Sequence, residues 1–573
     1  MYSNAKESAA RMVEMGFFSL IYPFMNMDER KRTVFYNKQS QYLLEDLNEK
    51  DTPVLFLLPH VCLFESLATS PFFRPKNRKK MGAIYRPNRN FSLDKWIRDA
   101  RIKTGIEVFS RKAGLRESMY FLRQKNWLTI LFDQNGGQGG ADFLFLDRVA
   151  SLTTLPDILS KIENIRIVYA CPKRIKMFRT ELFLKEINLN EDVSVCQKAH
   201  ELLSHDIKSC PKGFPEWLWA HGKWKVHYYP EVRFNLFSRR SFLQPNNIPR
   251  SGSRMVIRLP NWLGDVVMSL PIIRALRNAR PDMQFLIMGH PIFLPLLKEF
   301  ELGEEFISTD CKNLKNYTDF LIEVRSKMPE CHLLFTNSLR GDLESLIIGS
   351  PQRLGLKISG IKRPFLTNAL CVELAEFNSQ HLTRTWESMI RRFGFLENVS
   401  YDPFRLSDYD GTGATNTLKI GIALGSSNNP AKQWPLNNWI HLIQLLGERE
   451  SDIKVVLYGT KSDFGLSTQI LAQNRFNVIE NLVGQTSIVQ LAEEFSSCTL
   501  VIGCDSGAVH LASAVGTATL TIFGPTNHTV TSPCFNNVRR ELVLASPSHS
   551  MRDWCPTEVF DEYKNLVSLV RNQ

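Results

Sequence analysis

No pair of cysteines in this chain is spaced C-x-x-C. Its 11 cysteines are scattered from Cys62 to Cys555, which denies the sequence both a zinc-ribbon framework and a thioredoxin-type redox motif. No apolar run reaches the ~20 residues that cross a bilayer. The most apolar stretch near the start, GFFSLIYPFM at 16–25, is short and holds Pro23, so it reads either as an interfacial helix or as a buried first helix. No cleavable signal sequence is recognised, and reduced thiols in the cytoplasm are expected. The phosphate loops G-x4-G-K-[ST] and G-x-G-x-x-G are both missing, which removes the usual kinase and dehydrogenase readings. Zinc-finger, RNP and helix-turn-helix signatures are missing as well, so nucleic acid is not an expected partner. There is no internal repeat.

What is present is a globular composition, 43% hydrophobic and 22% charged, on a chain of 573 residues, too long for one hydrophobic core. The formal charge of +12 favours anionic partners without choosing among them. The stretch FNLFSRRSFLQPNNIPRSGS (234–253) is polar, basic and without periodicity, and reads as a linker. After it, MVIRL followed by PNWLGDVVMSLPIIRALRNARP has the pattern of a strand, a turn and an amphipathic helix. A second soft boundary falls at SDYDGTGATNT (407–417). Beyond it the apolar segments KIGIAL, IKVVLYG, TLVIGC and ATLTIFG alternate with helical stretches, which implies a parallel sheet. Strands PVLFLLP, WLTILFD and IRIVYAC mix with helices in the first part of the chain, again α/β.

Two groups of residues carry chemistry. In PVLFLLPHVCLFESLATSPFF, His60 leaves an apolar strand and Glu65 follows five residues later, a pair suited to base catalysis if the carboxylate orients the imidazole. Asp133 and Gln134 end the strand WLTILFD, where a turn-capping role is the simpler alternative. The order of His60-x4-Glu65, the Tyr-Arg-Pro segment at Arg86, the Asp-Gln-Asn-Gly segment at Asp133, and the tryptophan-rich PEWLWAHGKWK resembles the late acyltransferases of lipid A biosynthesis. The resemblance covers roughly residues 10–230. It implies an acyl group taken from acyl carrier protein, His60 as general base, Glu65 as its orienting partner, and Arg86, Asp133 and Gln134 in support. That family usually begins with a membrane-spanning helix, which is not recognised here, and Phe145-Leu146-Asp147 stands where the family has an aromatic-Phe-Gly segment.

In the second group, Gly264 and Asp265 occupy the strand-to-helix turn of RLPNWLGDVV, where a carboxylate either caps the helix or faces a ligand at the sheet edge. Asp505-Ser506-Gly507 open a helix whose N–H groups suit a diphosphate, with His510 one turn on. Ser426, Ser427 and Lys432 lie in a polar strand-to-helix loop. Together with LLFTNSLRGDLES and RLGLKISGIKRPFLT, these segments resemble glycosyltransferase family 9, the ADP-heptose:lipopolysaccharide heptosyltransferases, over about residues 254–535, and within it the second-heptose type. The resemblance implies a GT-B fold and inversion with Asp265 as general base. It further implies acceptor contacts by Asn337, Ser338 and Arg340, and ADP-sugar contacts by Ser426, Ser427, Lys432, Asp505, Ser506, Gly507 and His510. Asp408-Tyr409-Asp410 has the form of a metal-binding D-x-D but sits in the polar inter-lobe stretch, and no obligatory metal is expected.

The expected organisation is a glycerolipid-acyltransferase-like α/β domain at 1–235, a linker at 236–253, and a GT-B pair of Rossmann-like lobes at 254–410 (acceptor) and 411–573 (ADP-sugar donor). The expected function is bifunctional, with ADP-heptose and acyl-ACP as substrates and no cofactor. Expected partners are acyl carrier protein, a lipopolysaccharide precursor and the cytoplasmic surface of the inner membrane, where the protein would be peripheral. Two alternatives stay open. The first domain is a non-catalytic lipid-docking module, or the sugar is another nucleotide-linked one.

Overall fold

The computed structural model describes the chain apart from residues 1, 62, 77–78, 88–89, 111–114, 189–193, 211–213, 220–221, 225–227, 229–232, 237–239, 244–247, 251, 311–313, 407–416, 426–428, 451, 477, 536–540 and 572–573. It falls into two compact units, Met1–Val232 with Leu236–Pro249, and Arg233–Asn235 with Arg250–Gln573. Much of the stretch read as a linker therefore clusters with the first unit. Ser241 bridges to Asp142, and the Phe242 amide donates to the Asp142 carbonyl.

The first unit is built on a seven-stranded sheet. Its strands are β1 (Val34–Tyr36), β2 (Val54–Leu58), β3 (Met81–Tyr85), β4 (Ile106–Ser110), β5 (Trp127–Leu131), β8 (Arg166–Lys176) and β9 (Arg179–Glu186), with a separate hairpin of β6 (Ala141–Phe145) and β7 (Arg148–Leu152). The order is β1-β9-β8-β2-β5-β3-β4, parallel throughout except for the β8–β9 hairpin. β2 reads VLFLL and is buried at every position because the sheet is covered on both faces. Period 2 then divides its residues, with Leu55 and Leu57 in one core and Val54, Phe56 and Leu58 in the other. β2 and β5 pair in parallel with Leu58 opposite Leu131. Both strands therefore release their chains at one level of the carboxyl edge.

The second unit contains two six-stranded parallel sheets. The first is β10 (Ser253–Arg258), β11 (Met283–Gly289), β12 (Glu305–Ser308), β13 (Cys331–Leu334), β14 (Gln352–Ile358) and β15 (Asn368–Val372), ordered β12-β11-β10-β13-β14-β15. The second is β16 (Leu418–Ala423), β17 (Ile453–Tyr458), β18 (Ile479–Asn481), β19 (Leu500–Cys504), β20 (Ala518–Phe523) and β21 (Glu541–Ala545), ordered β18-β17-β16-β19-β20-β21. Each is the doubly wound order 3-2-1-4-5-6, with a topological switch point between its first and fourth strands. These are the two Rossmann-like lobes expected from the sequence. The Asp408-Tyr409-Asp410 segment and the boundary around 407–417 lie almost wholly outside the described residues.

Candidate active sites

In the first unit, His60 follows β2 and Asp133 follows the neighbouring β5, and the parallel register brings them together. The His60 Nδ1 lies 2.6 Å from Asp133 Oδ1, and the His60 amide donates to Asp133 Oδ2 at 2.8 Å. The Trp217 indole N–H also donates to Asp133 Oδ2, at 2.7 Å. A carboxylate only accepts, so this arrangement assigns the imidazole proton to Nδ1 and leaves the Nε2 lone pair outward. The Gln134 amide nitrogen is 3.1 Å from that Nε2. The ring borders a cavity of about 190 Å³ lined by Arg86 and Arg101 and by apolar Phe64, Ile84, Ile130 and Leu155.

Glu65, expected to orient His60, is turned elsewhere. Leu63 takes a left-handed backbone conformation (φ 64°), and Glu65 arrives at the N-cap of the short helix Ser66–Thr69. There it accepts from Arg101 Nη2 at 2.5 Å, a residue of the helix Phe91–Lys103. The orienting contact belongs to Asp133, because pairing of adjacent strands aligns residues 73 apart in sequence, which no local spacing reveals.

Sequence reading also passed over Lys223, although it lies inside the quoted PEWLWAHGKWK. Lys223 is fully buried, and its Nζ donates to the Gln134 carbonyl at 3.2 Å and meets His200 Nε2 at 2.8 Å. Burial pushes its pKa down to about 8 against the opposing pull of Asp133. His200 is held neutral by burial and then by the Lys223 charge. Lys223 thus pins the backbone of the segment whose side chains bracket the His60 ring.

In the second unit every described candidate follows a strand at a switch point. Asp265 follows β10, Asn337 and Ser338 follow β13, Lys432 follows β16, and Asp505 and Ser506 follow β19. Ser426 and Ser427 lie outside the described residues. Asp265 sits in the first turn of the helix Leu263–Ala279, half-buried. Burial, then the Asp505 charge, raises its pKa to about 6, with Lys432 opposing. Lys432 Nζ pairs with Asp505 Oδ2 at 2.6 Å, and the Thr526 hydroxyl donates to the same oxygen at 2.7 Å. His510 is buried, and burial lowers its pKa to about 4 although Asp505 pulls the other way, so its ring is neutral near pH 7. The Ser506 hydroxyl is buried without a hydrogen-bond partner among the described residues. It sits at the N-cap of the helix Gly507–Ala514, where backbone N–H groups present partial positive charge.

The helices Leu263–Ala279 and Gly507–Ala514 touch at their N-termini, so closely that a side chain at Gly507 would force a displacement and one at Gly264 would press on His510. A Cβ on Gly507 would lie 2.6 Å from Leu263 Cβ and 2.9 Å from the Gly264 nitrogen, and one on Gly264 would lie 3.1 Å from His510 Cδ2. Gly507→Ala is therefore expected to force the helices apart, cost about 1–3 kcal/mol of stability and reduce sugar transfer. Thermal unfolding beside a transfer assay checks it, and an unchanged melting temperature would refute the close packing.

The acceptor-side residues are engaged structurally. Asn337 accepts from Arg363 Nη1 at 3.2 Å, Ser338 caps the helix Leu339–Ile348 by accepting from the Gly341 amide, and Arg340 pairs with Glu344 over the Tyr317 ring. Arg363 is a fully buried partner of Asp342.

The family matches of its two parts mark the chain as an enzyme of the transferase class, with an acyltransferase-like α/β unit followed by a glycosyltransferase-like pair of Rossmann-like lobes. Residues 7–226 match the sequence model of the bacterial lipid A biosynthesis acyltransferases, and residues 375–559 match that of glycosyltransferase family 9 (heptosyltransferase). The two matched regions are separate and do not overlap. It is 26% identical over 335 residues to lipooligosaccharide heptosyltransferase 2 of Campylobacter jejuni, covering 55% of this chain and 98% of that protein. It is 24% identical over 349 residues to lipopolysaccharide heptosyltransferase 2 of Escherichia coli K12, covering 54% and 97%. The solved structure of E. coli ADP-heptose lps heptosyltransferase II is similar at 22% identity and a TM-score of 0.47, covering 55% of this chain and 98% of that one.

Proposed function

We propose that the chain is a two-activity enzyme of lipopolysaccharide assembly, with one substrate class for both units. The second unit moves heptose from ADP-heptose to an inner-core acceptor. The observation that carries this reading is Asp265, a carboxylate of raised proton affinity at one switch point, close enough to feel the charge of the Lys432–Asp505 pair at the other. Asp265 takes the proton of an acceptor hydroxyl, the oxygen attacks the anomeric carbon, and ADP leaves from the opposite face with inversion. Lys432 offers positive charge to the departing diphosphate, while Ser506 and the N–H groups from Gly507 onward offer hydrogen bonds. Ser426, Ser427 and neutral His510 complete the donor side, and Asn337, Ser338 and Arg340 the acceptor side. No obligatory metal enters this scheme.

The first unit moves an acyl group from acyl carrier protein to a lipid A-type hydroxyl. His60 Nε2 removes the hydroxyl proton, the oxygen attacks the thioester carbonyl, and the carrier thiol departs with a proton. Arg86 and Arg101 line the cavity where the developing oxyanion or a substrate phosphate gains from positive charge. The two-sided bracket of the His60 ring by Asp133 and Gln134 favours this reading over a purely docking role. Both acceptors are amphiphilic lipopolysaccharide precursors, which supports a peripheral position at the cytoplasmic membrane surface, and no nucleic-acid partner enters the scheme.

The deciding experiment mixes purified protein, ADP-heptose, acyl carrier protein loaded with a fatty acid, and lipopolysaccharide precursors, and weighs the products by mass spectrometry. Gains of one heptose and one acyl group are expected. Heptose alone reduces the first unit to docking, and neither gain removes the proposal.

A further inference from the structure

The first helix, α1 (Tyr2–Ile21), carries its polarity inside out. Its charged residues after Lys6 turn inward. Glu7 and Glu14 pair with Arg11, and Glu14 reaches Arg174 at 2.9 Å and the Phe178 amide at 2.9 Å on the β8–β9 hairpin. Phe18 and Tyr22 pack inward with Leu63 and Ala100. Every fully exposed position from Ala9 to Phe24 is apolar or glycine. Met12, Val13, Phe17, Leu20, Ile21 and Phe24 stand 37–76% exposed. Beside them the hairpin tip exposes Ile175 (52%) and Met177 (63%) within the segment KRIKMFR, residues 173–179, which contains four cations and no acid.

From this we infer that α1 and the β8–β9 tip form a docking face for an anionic phospholipid surface, on which α1 lies in plane. The inference rests on the membrane-surface partner proposed above and names the element that makes the contact. Three observations carry it. An apolar strip of this extent on the outside of a helix is a contact surface rather than ordinary scatter. A protein partner needs about one hydrogen bond per 100–200 Å² of interface, and the exposed side chains of the strip offer none, whereas hydrocarbon requires none. Lys173 and Arg174 are already paired with Asp206 and Glu14, and Lys176 and Arg179 of the tip supply the complementary charge for acidic headgroups. Spanning is excluded for α1 by its inward ion pairs, and no described helix is long and apolar enough to cross a bilayer. Because Phe18 and Tyr22 seat on Leu63 and Ala100, the same contact holds the His60–Glu65 turn next to the lipid surface.

The test is flotation of the full chain with phosphatidylcholine vesicles, with and without phosphatidylglycerol, comparing wild type with a combined Val13→Ser, Phe17→Ser, Leu20→Ser and Phe24→Ser variant and with Ile175→Ser plus Met177→Ser. Wild type is expected to float with the phosphatidylglycerol vesicles, the first variant to lose about tenfold or more in partitioning, and the second to lose less. Unchanged melting temperature and sugar transfer establish that the variants fold. Equal flotation of wild type and the first variant overturns the inference, as does a wild-type dimer that dissociates in the variant while vesicle binding persists. Flotation is read without acyl transfer, so binding with no acyl product sinks the acyltransferase reading and leaves the docking face standing.

Discussion

Asp265→Asn is expected to lower the turnover of sugar transfer by about 10²–10⁴-fold while leaving the KM for the sugar donor nearly unchanged, because the amide keeps the shape but cannot take the acceptor proton. The pH profile provides a second reading of the same group. Burial and Asp505 hold the Asp265 carboxyl up at about 6, and the carboxylate is the active form. Wild-type kcat/KM should therefore be level above that pH and fall about tenfold per unit below it. Lys432 pulls the value down, so Lys432→Met should move the acid limb to higher pH, in addition to weakening donor binding. A raised folded-state pKa also has a stability consequence. Between the ordinary aspartate value and about 6 the folded protein holds the proton more tightly than the unfolded chain, so stability falls as pH rises through that window. Asp265→Asn escapes this penalty and should melt higher than wild type at pH 7, the opposite of its effect on activity. A variant with full turnover, or an acid limb unaffected by Lys432→Met, would refute the assignment.

Acyl transfer should separate the three polar residues around the first site. His60→Ala is expected to lower it by about 10²–10⁴-fold, and Asp133→Asn to approach that loss, because Asp133 fixes the Nδ1 proton and the ring together. Glu65→Gln leaves the imidazole oriented and removes only the counter-charge of Arg101, so its loss should be smaller and should appear chiefly in KM if Arg101 meets an anionic part of the substrate. Steady-state assays of the three variants decide this. A Glu65→Gln defect equal to His60→Ala, with Asp133→Asn mild, would restore Glu65 as the orienting carboxylate and refute the reading from the geometry.

Legibility differed between the two sites for a physical reason. On the glycosyltransferase side, the candidate residues lie on the segments that follow apolar strands, and in a doubly wound sheet the carboxyl ends of the first and fourth strands define the crevice. A reading of strand ends in PNWLGD and CDSGAVH therefore leads to Asp265 and Asp505 without knowledge of the pairing. What such a reading misses is the contact across the lobes, where Gly264 and Gly507 are glycines because two helix ends meet. On the acyltransferase side, the short spacing from His60 to Glu65 suggested a local pair. Left-handed Leu63 sends Glu65 to Arg101 instead.

Sequence by itself determined the α/β classes, the two Rossmann-like lobes, the strand-end positions of His60, Asp133, Asp265 and Asp505, and the exclusion of phosphate-loop chemistry. These follow from periodicity and local turn chemistry, which act over a few residues. Tertiary structure alone decided which carboxylate serves His60, that Lys223 lies buried behind Gln134, that Lys432 meets Asp505, and that α1 turns its charges inward and its apolar face outward. Each of these depends on strand order and helix packing between residues far apart in the chain, contacts whose partners are chosen by burial and register rather than by sequence spacing.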